Sequence, residues 1–146
     1  MKRHESLVEL SRDHHQALFQ AMRLKRADQL DPEQVRTGFL DFWHGHGRRH
    51  FRIEEELLLP AYARRGDAGR EEVVRVLVDH IVIRRQAEEI ETGEAPPIET
   101  MRDLGERLDA HVRHEERVLF PLIEDALSEE ELAELAARIE AAERGS

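Results

Sequence analysis

Residues 50–60 read HFRIEEELLLP and residues 111–121 read HVRHEERVLFP: one pattern, H-x-R-x-E-E-x-φ-φ-φ-P with φ apolar, written twice at an interval of 61 residues. In each copy a histidine and a glutamate stand four apart, His50 with Glu54 and His111 with Glu115. On an α-helix such residues are neighbours about 6 Å apart on one face. An imidazole and a carboxylate so placed can converge on one metal ion, or on two adjacent ions. One such pair is commonly just an exposed His–Glu contact; two matching copies, both in the inward register, are hard to explain that way. Each proline removes a backbone donor and tends to kink or end its helix. The interval is about the length of a helical hairpin, which puts the copies on alternate helices of a bundle with approximate two-fold internal symmetry.

Working outward, apolar residues recur at helical spacing on both sides of these motifs. The helix holding the second copy has the inward stripe Met101, Leu104, Leu108, His111, Glu115, Val118, Leu122. The helix holding the first has Phe39, Phe42, His46, His50, Ile53, Leu57 and Ala61, with Gly45 and Gly47 weakening its middle. It opens on Asp31-Pro32, an N-cap followed by proline at the first helical position, and stops near Gly66-Asp67. An earlier helix, about 6–27, has Leu7, Leu10, His14, Ala17, Ala21 and Leu24 inward; a third, about 68–91, has Val73, Leu77, His80, Ile83, Ala87 and Ile90. Four long helices with short connections predict an all-α, up-down-up-down four-helix bundle over about 5–126, within a single domain. Ser128 and Glu131 form a capping box that opens a short additional C-terminal helix, about 128–144, for docking on the bundle or on a second subunit.

Composition narrows the function. The 146 residues are 40% hydrophobic and 37% charged with a net charge of -10, so a clustered basic face for nucleic acid is not expected. With no cysteine, disulfides, iron–sulfur ligation and thiol nucleophiles are excluded. No run approaches the roughly 18 apolar residues of a membrane span, and the N-terminus has no apolar signal region; a cytoplasmic protein is expected. The unusual count is nine histidines against one Tyr and one Trp.

Four of those histidines, His14, His50, His80 and His111, fall in the inward register of four different helices, and Glu54 and Glu115 join them. Each uncompensated polar group in an apolar core costs on the order of 1–3 kcal/mol, and a bare carboxylate far more, against a total stability of roughly 5–15 kcal/mol. A bound metal removes the contradiction; a hydrogen-bonded polar network is the alternative. Around these six, His15 lies about 100° round the helix from His14. His46, one turn before His50, is a further candidate ligand, and Tyr62 a candidate for the entrance to the site. His44 and His114 read as rim residues. Glu55, Glu56 and Glu116 read as solvent-facing, with Glu55 or Glu116 able to hydrogen-bond a ligand imidazole.

The ordered set of a lone His, H-x-x-x-E, a lone His and H-x-x-x-E, followed by apolar residues and proline, resembles the haemerythrin-like, or HHE cation-binding, domains over roughly residues 5–125. The resemblance implies a non-haem di-iron centre, bridged by two carboxylates and an oxo or hydroxo oxygen, with manganese or zinc as alternatives. His14, His50, Glu54, His80, His111 and Glu115 are then the metal ligands, leaving roughly two coordination positions open. It implies O2, peroxide or NO as small-molecule partners, with peroxide disproportionation as a candidate activity. An iron or oxygen sensor and an iron–sulfur-repair-like protein are the alternatives, with a monomer or homodimer as the assembly. The oxygen carriers of the family place two histidines four apart in helix three, where this chain has Val76 and Arg84 around His80. Their helix-four carboxylate lies five residues after the histidine rather than four. Both departures favour a reactive or sensing centre over a carrier.

Overall fold

The structure, a computed structural model, describes residues 2–145. A tight turn at Glu5–Leu7 leads into α1, Val8–Lys25. Helix α2 spans residues 32–63, α3 Glu71–Thr92, α4 residues 98–126 and α5 Glu129–Arg144. The starts are written locally. The Asp31 side chain accepts from the N–H groups of Glu33 and Gln34, and Pro32 needs no donor there. Ser128 and Glu131 exchange both bonds of a capping box at the head of α5.

Helices α1–α4 form the up-down-up-down bundle that the four apolar stripes predict, with α1 packed between α2 and α4. Its interior is divided in two. One apolar cluster, including Leu7, Leu10, Leu58, Tyr62 and Phe120, extends to Leu132, Leu135 and Ile139 of α5. Helix α5 therefore docks on the bundle, where it covers the 5–7 turn and the 48–58 stretch of α2. The other cluster, including Leu24, Phe39, Trp43, Ile83 and Leu104, fills the opposite end. The charged residues of the interior lie between the two.

Helices α2 and α4 are not regular. Three wide turns, each closed by an N–H reaching back five residues, interrupt them at Trp43–Gly47, Glu54–Leu58 and Glu115–Leu119. Each adds a residue to its turn, so the inward face advances by one position. The spacing predicts Phe42, His46, Leu57 and Ala61 inward on α2, and Val118 and Leu122 on α4. The structure fully buries Trp43, Gly47, Leu58, Leu59 and Tyr62, and then Leu119, Phe120 and Ile123; Phe42, Leu57, Ala61 and Leu122 pack against the core partly buried, and His46 and Val118 are exposed. At the second and third turns the cause lies in Pro60 and Pro121; no proline follows the turn at Trp43–Gly47. Neither can donate, and each ring would strike the carbonyl four residues back in a regular helix. The wide turn gives that ring room, so both helices continue through their prolines. On α3, Val76 rather than Leu77 takes the inward place; it lies one turn before His80 on the same side.

Gly105 sets how closely α1 and α4 approach. A Cβ there would lie 2.7 Å from the Lys25 nitrogen and 2.8 Å from the Ala21 oxygen, main-chain atoms that cannot swing aside. Gly105→Ala should therefore cost about 1–3 kcal/mol and lower the melting temperature by roughly 5 °C, read by calorimetry. An unchanged melt would show that the two helices separate freely.

Candidate metal centre

The histidines reach the bundle axis from all four long helices, His14 from α1, His50 from α2, His80 from α3 and His111 from α4. Glu54 and Glu115 come from the starts of the wide turns in α2 and α4. Both carboxylates are 0% exposed and none of the four imidazoles exceeds 7%.

Each carboxylate faces two sides. Glu54 Oε2 lies 2.9 Å from His50 Nε2 and its Oε1 lies 3.0 Å from His80 Nε2. Glu115 Oε1 lies 2.8 Å from His14 Nε2 and 3.8 Å from His50 Nε2. Its Oε2 lies 3.1 Å from His111 Nε2 and 3.9 Å from His80 Nε2. The result is two quartets, His14–His50–Glu54–Glu115 and His80–His111–Glu54–Glu115, each with its candidate ligand atoms within 4.8 Å of one another. All six expected residues are brought together, and the two glutamates belong to both quartets.

Proximity here is not hydrogen bonding. His14 Nε2 pairs with Glu115, but the Nε2 atoms of His50, His80 and His111 have no aligned partner among the described residues. Neither do both oxygens of Glu54 and Oε2 of Glu115. Six buried polar atoms thus point into shared space rather than at each other. Burial without partners is costly, and a cation between nitrogens and carboxylate oxygens satisfies them together. The donor set of imidazole nitrogen and carboxylate oxygen suits iron, manganese or zinc.

The outward nitrogens are fully engaged. His50 Nδ1 lies 3.0 Å from Asp13, His80 Nδ1 2.7 Å from Glu55, His111 Nδ1 3.0 Å from Asp79, and His14 Nδ1 2.6 Å from Glu116. In each case the carboxylate comes from the preceding helix: α1 to α2, α2 to α3, α3 to α4, and α4 back to α1. Such partners fix the ring and its tautomer, so that Nε2 is the nitrogen offered to the interior. These carboxylates are held in turn, Glu55 by Arg84 at 3.0 Å and Glu116 by Ser11 at 2.8 Å. Asp79→Asn should leave the fold intact and weaken metal retention about 10–100-fold, measured by competition with a chelator. Retention equal to wild type would mean that the ring needs no such partner.

The metal-free electrostatics follow from these neighbours. Burial alone would push His80 down, but the charges of Glu115, Glu54 and Glu55 outweigh it and lift it to about 10. His111 is likewise lowered by burial, then raised by Glu115 and Asp79 to about 9. His14 and His50 are also raised against their burial, the former mainly by Glu115 and Glu116, the latter by Glu54 and Asp13. Burial would raise Glu115, yet the surrounding imidazoles, His111 foremost, hold it well below the usual carboxylate range.

The remaining candidates stay outside. His15 is exposed on α1, and His46 is exposed, with Nδ1 3.5 Å from Arg49. Tyr62 is buried in the apolar cluster shared with α5 and does not line the entrance. His44 stays at the rim as expected, 3.1 Å from Glu91, whereas His114 is a correction: it is buried, and its Nε2 donates to the Glu72 carbonyl. Glu116 and Glu55 are half-buried on their imidazoles rather than solvent-facing; Glu56 is exposed.

Fold and interior together define a cation-binding helical bundle of the histidine–carboxylate kind. The family model described as hemerythrin HHE cation binding domain matches residues 6–123. The chain belongs to that family. No curated protein and no solved structure matches it.

Proposed function

We propose that the chain holds two irons, one at His14 and His50, the other at His80 and His111, with Glu54 and Glu115 shared between them, and that the pair acts on O2, peroxide or NO. The observation that carries this reading is the sharing of the same two buried carboxylates, three of whose four oxygens have no aligned partner among the described residues, by two histidine pairs. When bound, the irons supply one-electron redox chemistry, of which peroxide disproportionation is the activity to test first.

The chain's own contribution is to hold, orient and screen. Four outer carboxylates keep every Nε2 facing in, and two apolar clusters exclude bulk water from above and below. Access comes from the side. A narrow cleft of about 20 Å³, partly open to solvent, reaches His14, His50 and His111 past His46 and Asp13, between largely apolar walls that include Ala17, Phe39, Trp43 and Leu108. Such walls admit a small neutral molecule and disfavour a charged one.

Metal analysis with anaerobic-to-aerobic visible spectra tests the binding, since an oxo-bridged di-iron centre absorbs visibly and zinc does not. Peroxide consumption, abolished by His50→Ala or His111→Ala, tests the activity. Two irons without turnover would sink the enzymatic claim and leave the binding claim standing. A colourless protein whose melting ignores iron would sink both.

A sensing role has one observation in its favour. Glu143, near the end of α5, contacts Asp13, the carboxylate that holds His50. On that reading, hydrogen exchange in 129–144 differs between metal-free and iron-loaded protein.

A further inference from the structure

Helix α3 is apolar on two faces. Val73, Val76, Ile83, Ala87 and Ile90 face the core, while Val74, Leu77, Val78 and Ile81 face out, the last 68% exposed. These make up four of the seven large hydrophobic side chains exposed among the described residues; the others, Phe19, Met22 and Val118, lie on α1 and α4. Residues 71, 74, 78, 81 and 85 are spaced three, four, three and four apart, the rhythm of a helix–helix seam. Leu77 flanks that line.

The two ends of the line are charged and opposite. Glu71 stands at one end and Arg85 at the other, both exposed, and neither makes an ion pair or side-chain hydrogen bond among the described residues. Their neighbours do have partners: Arg70 pairs with Glu72, and Arg84 with Glu55. Glu71 and Arg85 are each seven residues from Val78, about 10 Å along the axis in either direction.

We propose that this face of α3 is the seam of a homodimer, two copies packing antiparallel about a two-fold axis at Val78. The charge order selects both the occupant and its direction. An antiparallel second copy sets its Arg85 against Glu71 and its Glu71 against Arg85, with Val74 near Ile81 of the other copy. A parallel copy would oppose like charges at both ends. A closed two-fold contact needs a self-complementary strip, which this line supplies from one helix. The seam is one helix wide and smaller than the roughly 800 Å² per partner of a standard complex, so a dissociation constant of about 1–100 μM is expected. The inference depends on the fold alone and is independent of which metal the interior holds.

Sedimentation equilibrium of the full chain from about 1 to 300 μM tests it across that range. Wild type should shift from monomer to dimer, and Val78→Glu, which sets two carboxylates on the axis, should stay monomeric. Glu71→Arg and Arg85→Glu should each weaken association about tenfold, because each reversal acts twice in a symmetric dimer. The double reversal should restore it. All three positions are exposed, so helical content and melting should match wild type and thereby separate lost association from lost folding. A wild type that stays monomeric would overturn the proposal and leave the stripe to a different partner. A dimer indifferent to Val78→Glu, or single reversals not rescued by the double, would overturn it equally.

Discussion

Glu115→Gln should yield a protein that retains less than one metal ion per chain and melts far below wild type. Glu115 is the most shared group in the interior, with one oxygen towards His14 and His50 and the other towards His111 and His80. The amide removes the negative charge and replaces one acceptor with a donor that faces imidazoles. In the metal-free protein those imidazoles lose the charge that outweighs their burial, and breaking a buried ionic network from one side typically costs about 3–5 kcal/mol. In the loaded protein both positions lose a ligand at once. Glu116→Gln is the contrast, because its carboxylate reaches only His14 among the ligands. That variant should keep two ions at an affinity lowered about 10–100-fold. Metal content after gel filtration, with calorimetry beside it, separates the two. If Glu115→Gln holds both ions, Glu115 does not bridge.

The second large effect is in protons. Without metal, all four imidazoles are raised above the ordinary histidine value of 6.5, His111 to about 9 and His80 to about 10. A histidine raised by folding contributes stability that is fully present below its unfolded value and is lost as pH climbs through its folded one. Glu115 runs the other way: its contribution is present above the ordinary 4.5 and disappears as pH falls through its depressed value. The metal-free protein should therefore melt highest near pH 6, and its melting temperature should fall steadily towards pH 10. A bound ion needs each Nε2 deprotonated, so loading near neutrality should release protons, approaching four for the complete pair, and affinity should climb with pH. Calorimetric titration in two buffers of different ionisation enthalpy counts them. Loading without proton release would mean that the imidazoles are already neutral.

The bundle and its six candidate ligands were legible because both rest on helical spacing, and spacing is local. What failed was register, at Phe42 and His46 before Glu54, at Leu77 on α3, and beyond both glutamates. A 3.6-residue period assigns Val118 and Leu57 inward, and nothing in that period anticipates a turn closed five residues back. The hint was Pro60 and Pro121, which a regular helix does not accommodate; the wide turns reconcile them with continued helix. The outer carboxylates were half visible. Glu55 and Glu116 follow the candidate ligands Glu54 and Glu115 in the repeated motif, but Asp13 and Asp79 sit in a second repeat, Asp-His at 13–14 and 79–80, that is only a dipeptide. Which histidine each serves depends on the order of helices round the bundle, and that is a tertiary fact. The burial of His114 is another, since its partner is a main-chain carbonyl on a different helix.

The shared glutamates have a mechanical consequence. This chain has no cysteine, yet the contact between His14 and Glu115 closes a loop of 101 residues. Each hairpin, α1–α2 and α3–α4, supplies two histidines to one quartet and one glutamate to both. The pair of ions proposed for that site would cross-link the halves of the molecule, reversibly by chelation rather than by reduction. Protein nicked in the 64–70 turn should then run as one particle while it is loaded, and come apart into two fragments far more readily once a chelator has stripped it.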